Sequence, residues 1–148
     1  MCELKVALSV RDSQNARRRR CSILPLPNNP TYGAVLHTHS IWGTLLSDLY
    51  FEDGGLKIKG YEMLKGLGGV TTHEYSEWVP IFENTQNIPA LAEQVRRRLE
   101  DSRYLIQHGY LIRRHGLYTW GRDLDEAKRH IEIFEFLFEC VAHVPLAE

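Results

Sequence analysis

His37 and His39 stand one residue apart at the end of a short apolar run, in the stretch Gly33-Ala34-Val35-Leu36-His37-Thr38-His39-Ser40. If residues 34–38 form a buried strand, side chains at i and i+2 point to the same face. The two imidazoles then project together from the strand's carboxyl end, the edge at which many α/β sheets bind ligands. Two imidazoles so placed can share one metal ion. They can equally be a pair of hydrogen-bonded core histidines, and spacing alone leaves both readings open.

The other histidines are at positions 73, 108, 115, 130 and 143. His130, on a C-terminal helix beside charged neighbours, and His143, in the tail, are expected at the surface. His73 is expected in a loop, and His108 suits either setting. His115 is different. It ends an apolar strand and is followed at once by Gly116, which permits close backbone approach. Two histidines from one strand and a third from a distant strand end make a catalytic zinc arrangement, with a fourth position left for water or substrate. Among the carboxylates, Glu62 is singular because it lies between Tyr61 and Met63 in a short apolar-rich segment bounded by glycines. Partial burial there would raise its pKa and suit it to move protons. The simpler reading, which the spacing favours, is a helix-start carboxylate in the field of the helix dipole.

These residues need elements to hold them. Residues 41–49 have helical spacing with Ser40 as N-cap. Asp53-Gly54-Gly55 reads as a turn and Leu56-Lys57-Ile58 as a short strand. One or two helical turns over 61–67 are closed by Gly68-Gly69. Residues 78–82 read as a buried or edge strand, with Pro80 favouring the edge. Ile88, Leu91, Val95 and Leu99 mark an amphipathic helix with Pro89 in its first turn and Arg96-Arg97-Arg98 facing solvent. Residues 110–120 read as two strands meeting at His115-Gly116. Asp123 and Glu126 open a long helix whose apolar stripe is Leu124, Ala127, Ile131, Phe134, Phe138 and Val141. Strands alternating with helices predict a layered α/β domain.

A chain of 148 residues with net charge −1 accommodates one domain and has no global pull toward nucleic acid or membrane. Cys2, Cys21 and Cys140 show no CxxC spacing, which points to a reducing compartment. No apolar run reaches membrane length, and the N-terminus lacks the order of a secretory signal. A soluble cytoplasmic protein is expected, with neither nucleic acid nor membrane as partner. Residues 1–32 differ from the rest: a strand-like alternation over 4–10, four arginines at 17–20, then a proline-rich turn. The arginines read as a solvated block.

Four motifs occur in order: 33–40 (GAVLHTHS), 61–67 (YEMLKGL), 79–85 (VPIFENT) and 111–120 (LIRRHGLYTW). Together they resemble the class II aldolase/adducin-like superfamily. Within it they resemble the branch that dehydrates 5-methylthioribulose 1-phosphate in methionine salvage. The last helix, through Phe134-Glu135-Phe136-Leu137-Phe138-Glu139-Cys140, is similar too. The resemblance implies a layered α/β/α domain of the class II aldolase type over 33–148, with a central mixed or antiparallel sheet. It implies one Zn2+ per subunit on His37, His39 and His115, with Glu62 as catalytic acid/base. The implied substrate is a phosphorylated sugar derivative, and the implied product is 2,3-diketo-5-methylthiopentyl 1-phosphate. The implied assembly is a homo-oligomer, a tetramer, with sites near subunit interfaces.

Members of this superfamily carry a longer N-terminal half with Gly/Ser/Thr/Asn loops that hold the substrate phosphate. Residues 1–32 contain neither loop, and Ser13 and Asn15 are the nearest candidates. That segment is therefore expected to be atypical and partly disordered, through truncation, an altered start or a shifted frame, leaving the N-terminal part of the fold incomplete. Two alternatives share the scaffold: a related sugar-phosphate aldolase or epimerase, and a non-catalytic interaction domain of the adducin kind.

Overall fold

The computed structural model describes residues 3–5, 31–101 and 108–144. In chain order these form β1 (Glu3–Lys5), β2 (Ala34–His39), α1 (Ile41–Leu49), β3 (Gly55–Lys59), β4 (Ser76–Phe82), α2 (Ile88–Glu100), β5 (Gly109–Ile112), β6 (Gly116–Gly121) and α3 (Leu124–His143), with a 3₁₀ turn at Glu62–Gly66. Of the atypical segment expected over 1–32, residues 1–2 and 6–30 lie outside the described residues.

The strands form one sheet in the order β1-β2-β6-β5-β4-β3. Every pairing is antiparallel except β4 with β5, so the sheet is mixed, as the resemblance implied. Period-two alternation sorts the strand side chains onto two faces. On one face Val35, Tyr110, Ile112, Tyr118 and Trp120 pack with Leu91 and Val95 of α2. On the other, Leu56, Ile58, Val79, Ile81, Leu111 and Leu117 pack with Ile133, Phe134, Leu137 and Phe138 of α3 and with Leu46 of α1. Helices therefore cover both faces, and the chain is an α/β/α sandwich.

Strand β4 corrects one expectation. Pro80 pointed to a sheet edge, yet β4 lies between β5 and β3. Ile81 N–H donates to Gly54 O on the β3 side at 3.1 Å. By alternation, the missing donor of Pro80 faces β5, where the parallel ladder begins only at Ile81–Leu111. The proline sits just before the ladder needs it.

The helix ends follow their capping residues. Ser40 Oγ accepts from Gly43 N–H at 3.0 Å, and Asp123 Oδ1 from Glu126 N–H at 2.8 Å. Glu126 reaches back to Arg122 N–H at 2.6 Å, closing a reciprocal cap around the start of α3. No helix among the described residues is long and apolar enough to cross a membrane.

The core role of α3 is testable. Phe134 is fully buried, whereas Phe136, two residues on, is 48% exposed. Phe134→Ala is expected to lower unfolding free energy by roughly 3–5 kcal/mol. Phe136→Ala should stay within about 0.5 kcal/mol of wild type in the same urea titrations. Comparable losses would contradict this layering.

Candidate metal centre

Strands β2 and β6 run antiparallel with His37 opposite Tyr118 and Thr38 opposite Leu117. The carboxyl end of β2 thus meets the beginning of β6, and His115 is placed beside His37 and His39. Gly116 makes that approach possible. A Cβ there would lie 1.9 Å from the Thr38 carbonyl oxygen, so no residue with a side chain fits without parting the strands. The glycine next to His115 admits the neighbouring backbone, and through it the third imidazole.

His37 is the fixed member of the cluster and is 3% exposed. Its Nδ1 lies 2.8 Å from Leu117 O, so Nδ1–H donates there and Nε2 keeps its lone pair. The ring stacks on Tyr118 at 4.0 Å between centroids, and Tyr118 stacks in turn on Tyr110 at 5.3 Å. Cross-strand aromatic stacking of this kind holds a ring in one orientation.

The turn preceding β6 carries His115 and is tied down by charge. Asp48 at the end of α1 accepts from Arg113 Nε at 2.8 Å and from Arg114 Nε at 2.9 Å. These two arginines hold the Asp48 carboxyl below its usual range, chiefly through their hydrogen bonds. Arg114 has φ of 52°, a left-handed conformation that costs a residue with a side chain, and its N–H donates to Ser47 Oγ at 2.9 Å. Sequence reasoning missed Asp48; the Arg113-Arg114 pair ahead of His115 was the available signal. His115 was expected to end a strand and instead closes this turn.

The three imidazoles converge. His37 Nε2 lies 2.9 Å from His39 Nε2 and 3.3 Å from His115 Nε2, and one ligand atom of each lies within 4.8 Å of the others. Two nitrogens bound tetrahedrally to one zinc at 2.0–2.1 Å would be about 3.3 Å apart. A single lone pair on His37 Nε2 could accept a proton in line from one neighbour but not from two. A cluster of three around one point therefore fits a cation better than it fits a hydrogen-bonded pair.

Glu62 is not part of this cluster. It begins the 3₁₀ turn, and its side chain is 72% exposed. It pairs with Lys65 and lies 3.7 Å from His73 Nδ1. The Lys65 hydrogen bond keeps its carboxyl below the usual range, opposite to the shift that partial burial would have caused. The topology separates it further. With β2 running toward the histidine end, β6 runs away, β5 and β4 toward it, and β3 away again. Lys59 therefore closes β3 at the far end of the sheet, and Glu62 follows three residues later. A strand of this length spans roughly 17–20 Å.

That far end holds a second polar network. His130, expected at the surface, is 3% exposed, and His108 is buried beside it at 5.2 Å between ring centroids. Glu77 is buried and accepts from His108 Nδ1 at 3.0 Å and from the Tyr75 hydroxyl at 2.6 Å. An amphipathic pattern could not reveal that His130 turns inward, because its partners are backbone groups. A cleft of about 680 Å³, bordered by Lys65, Gly68, Arg122, Glu126, Arg129 and His130, opens over this network. His73 and His143 are exposed, as expected.

A three-layer α/β domain with three histidines gathered at a strand end is a metal-site scaffold of the aldolase type. The chain belongs to the class II aldolase and adducin N-terminal domain family, whose profile matches residues 26–142. Over 111 residues it is 56% identical to methylthioribulose-1-phosphate dehydratase of Marinobacter nauticus, covering 75% of this chain and 52% of that protein. The chain thus spans about half the length of the curated relatives it matches. Among solved structures it is similar to YgbL from Escherichia coli, with a TM-score of 0.59 at 23% identity over 81% of this chain and 54% of that one. It is also similar to l-fuculose-1-phosphate aldolase from Thermus thermophilus, with a TM-score of 0.54 at 19% identity over 76% and 53% of the two chains. These likenesses show the fold.

The buried histidines set a pH optimum for stability. Burial alone would push His108 down, but the hydrogen bond and charge of Glu77 prevail and raise it above 6.5. Its contribution is complete below pH 6.5 and fades as pH rises through the folded value. Burial pushes His130 below 6.5, so its contribution is complete above pH 6.5 and fades as pH falls. The urea midpoint is expected to decline on both sides of neutral, with His108→Gln removing the alkaline decline. A wild-type midpoint that climbs steadily into alkali would contradict the Glu77–His108 assignment.

Proposed function

We propose that this chain provides the metal site and the acid/base of a lyase that removes water from 5-methylthioribulose 1-phosphate, a step of methionine salvage. The observation that carries this reading is the convergence of His37, His39 and His115 on one point. Dehydratases of that name at 56% and 52% identity support the choice of substrate.

His37, His39 and His115 would hold one Zn2+, neutral imidazoles being suited to that ion and leaving a fourth position for substrate oxygen. When bound, the ion supplies Lewis acidity that polarises the substrate carbonyl. The residues do the proton work. Glu62 takes the C3 proton and returns a proton to the C4 hydroxyl, which leaves as water, and the resulting enol relaxes to the 2,3-diketone. The Lys65 hydrogen bond that holds the Glu62 carboxyl below its usual range weakens it as a base, so that pair must loosen as Glu62 enters the site.

Glu62 and the histidines lie at opposite ends of the sheet, so one chain does not bring them together. We infer that the site is shared, Glu62 coming from a neighbouring copy in a homo-oligomer, with a tetramer as the proposed assembly. A cytoplasmic location accords with the absence of any paired-cysteine motif.

Purified chain loaded with zinc should bind about one ion, and His37→Ala or His115→Ala should abolish that binding. With 5-methylthioribulose 1-phosphate, Glu62→Gln should keep the zinc and lower kcat by about 100-fold or more. Mixing His39→Ala chains with Glu62→Gln chains should restore part of the turnover, because some sites then combine two intact halves. Retained turnover in Glu62→Gln would remove that residue from its role. No recovery on mixing would contradict a shared site. Absence of stoichiometric zinc would favour the interaction-domain reading.

A further inference from the structure

The peptide of Gly68 is gripped from both sides by buried imidazoles. Gly68 N–H donates to His130 Nε2 at 3.0 Å, and His108 Nε2–H donates to Gly68 O at 2.7 Å. Each ring is braced behind. His130 Nδ1–H donates to Trp120 O at 2.7 Å, and His108 Nδ1–H donates to Glu77, which Tyr75 also contacts. Two residues earlier, Arg129 Nε donates to Gly66 O at 3.0 Å. Leu64 within the 3₁₀ turn and Leu67 just after it are fully buried. The backbone that starts at Glu62 is therefore anchored at its far side while the Glu62 side chain stays in solvent.

We propose that His108 and His130 are positioning residues that clamp the Gly68 peptide and so fix the segment presenting Glu62. The inference rests on the reading of Glu62 as the acid/base, delivered to a site it does not share with its own histidines. A carboxylate that must meet a substrate across a subunit boundary needs a stiff backbone and a free side chain. Misplacing such a group by an ångström costs rate far more than binding. A bulk of two buried histidines, a buried glutamate and a tyrosine spent on one glycine peptide is explained by that need. His130 serves as acceptor only when neutral, and the groups facing it are His108, Glu126 and Arg129.

The test uses the zinc-loaded full chain with His130→Leu, which removes both bonds, and His130→Gln, whose amide can replace them. Glu77→Gln, which keeps the shape but removes the charge behind His108, is a second variant with the same expected direction. His130→Leu is expected to speed amide exchange at Gly68 by about tenfold relative to amides of β5 and β6. It should leave zinc content unchanged and lower kcat by about tenfold with KM within about threefold. His130→Gln should restore both. Unchanged Gly68 exchange and kcat in His130→Leu would overturn the clamp. So would a loss that His130→Gln does not rescue and that comes with uniform acceleration across the sheet, since that is general destabilisation. Turnover that survives in Glu62→Gln defeats the functional reading instead, and Gly68 exchange then decides the clamp by itself.

Discussion

The pairing of β2 with β6 at the Thr38–Gly116 contact is the constraint on which the centre depends. Two strand segments far apart in the chain, ending at His39 and beginning at Gly116, must meet so closely that a single methyl group at position 116 would collide with a carbonyl oxygen. Much of what orients His37 and places His115 follows from that contact. The Leu117 carbonyl becomes available to His37 Nδ1, the Tyr118 ring slides under the imidazole, and the His115 turn is brought over the end of β2. Packing above and below then makes the pairing rigid, with Val35 and Trp120 against α2 and Leu36 and Leu117 against the α3 side. His37 Nε2 lies 2.9 Å from His39 Nε2 and 3.3 Å from His115 Nε2, a spacing that suits three ligands of one ion.

The sheet also separates two kinds of polar chemistry. At the histidine end His37 is braced by the Leu117 carbonyl and the Tyr118 ring, with its Nε2 turned toward His39 and His115. At the far end His108 and His130 have both nitrogens committed to neighbours within the fold. The same residue type serves as candidate metal ligand in one place and as structural cross-link in the other.

Much of this was legible in the residues. The His-x-His pair, Ser40 and Asp123 as caps, the Pro89 helix and the apolar stripe of α3 all follow from local rules of period and capping, and all appear where those rules place them. The failures share a cause. Pro80 in an interior strand is set by sheet order and His130 in the core by backbone partners on β6 and at Gly68, both non-local. Local spacing could place Glu62 at a helix start but could not say at which end of the sheet that start would lie. The Arg113-Arg114 pair signalled a need for an anchor at the His115 turn but not that Asp48, 65 residues before Arg113, would supply it.

The central claim is that three imidazoles from β2 and from the turn before β6 bind one ion together. Zinc K-edge X-ray absorption on the loaded full chain tests it most directly, because the scattering of rigid imidazole rings is distinguishable from that of water or carboxylate. One zinc with three imidazole nitrogens at about 2.0–2.1 Å and one oxygen ligand is expected. A shell dominated by oxygen, or a fit that requires fewer than three imidazoles, would contradict it.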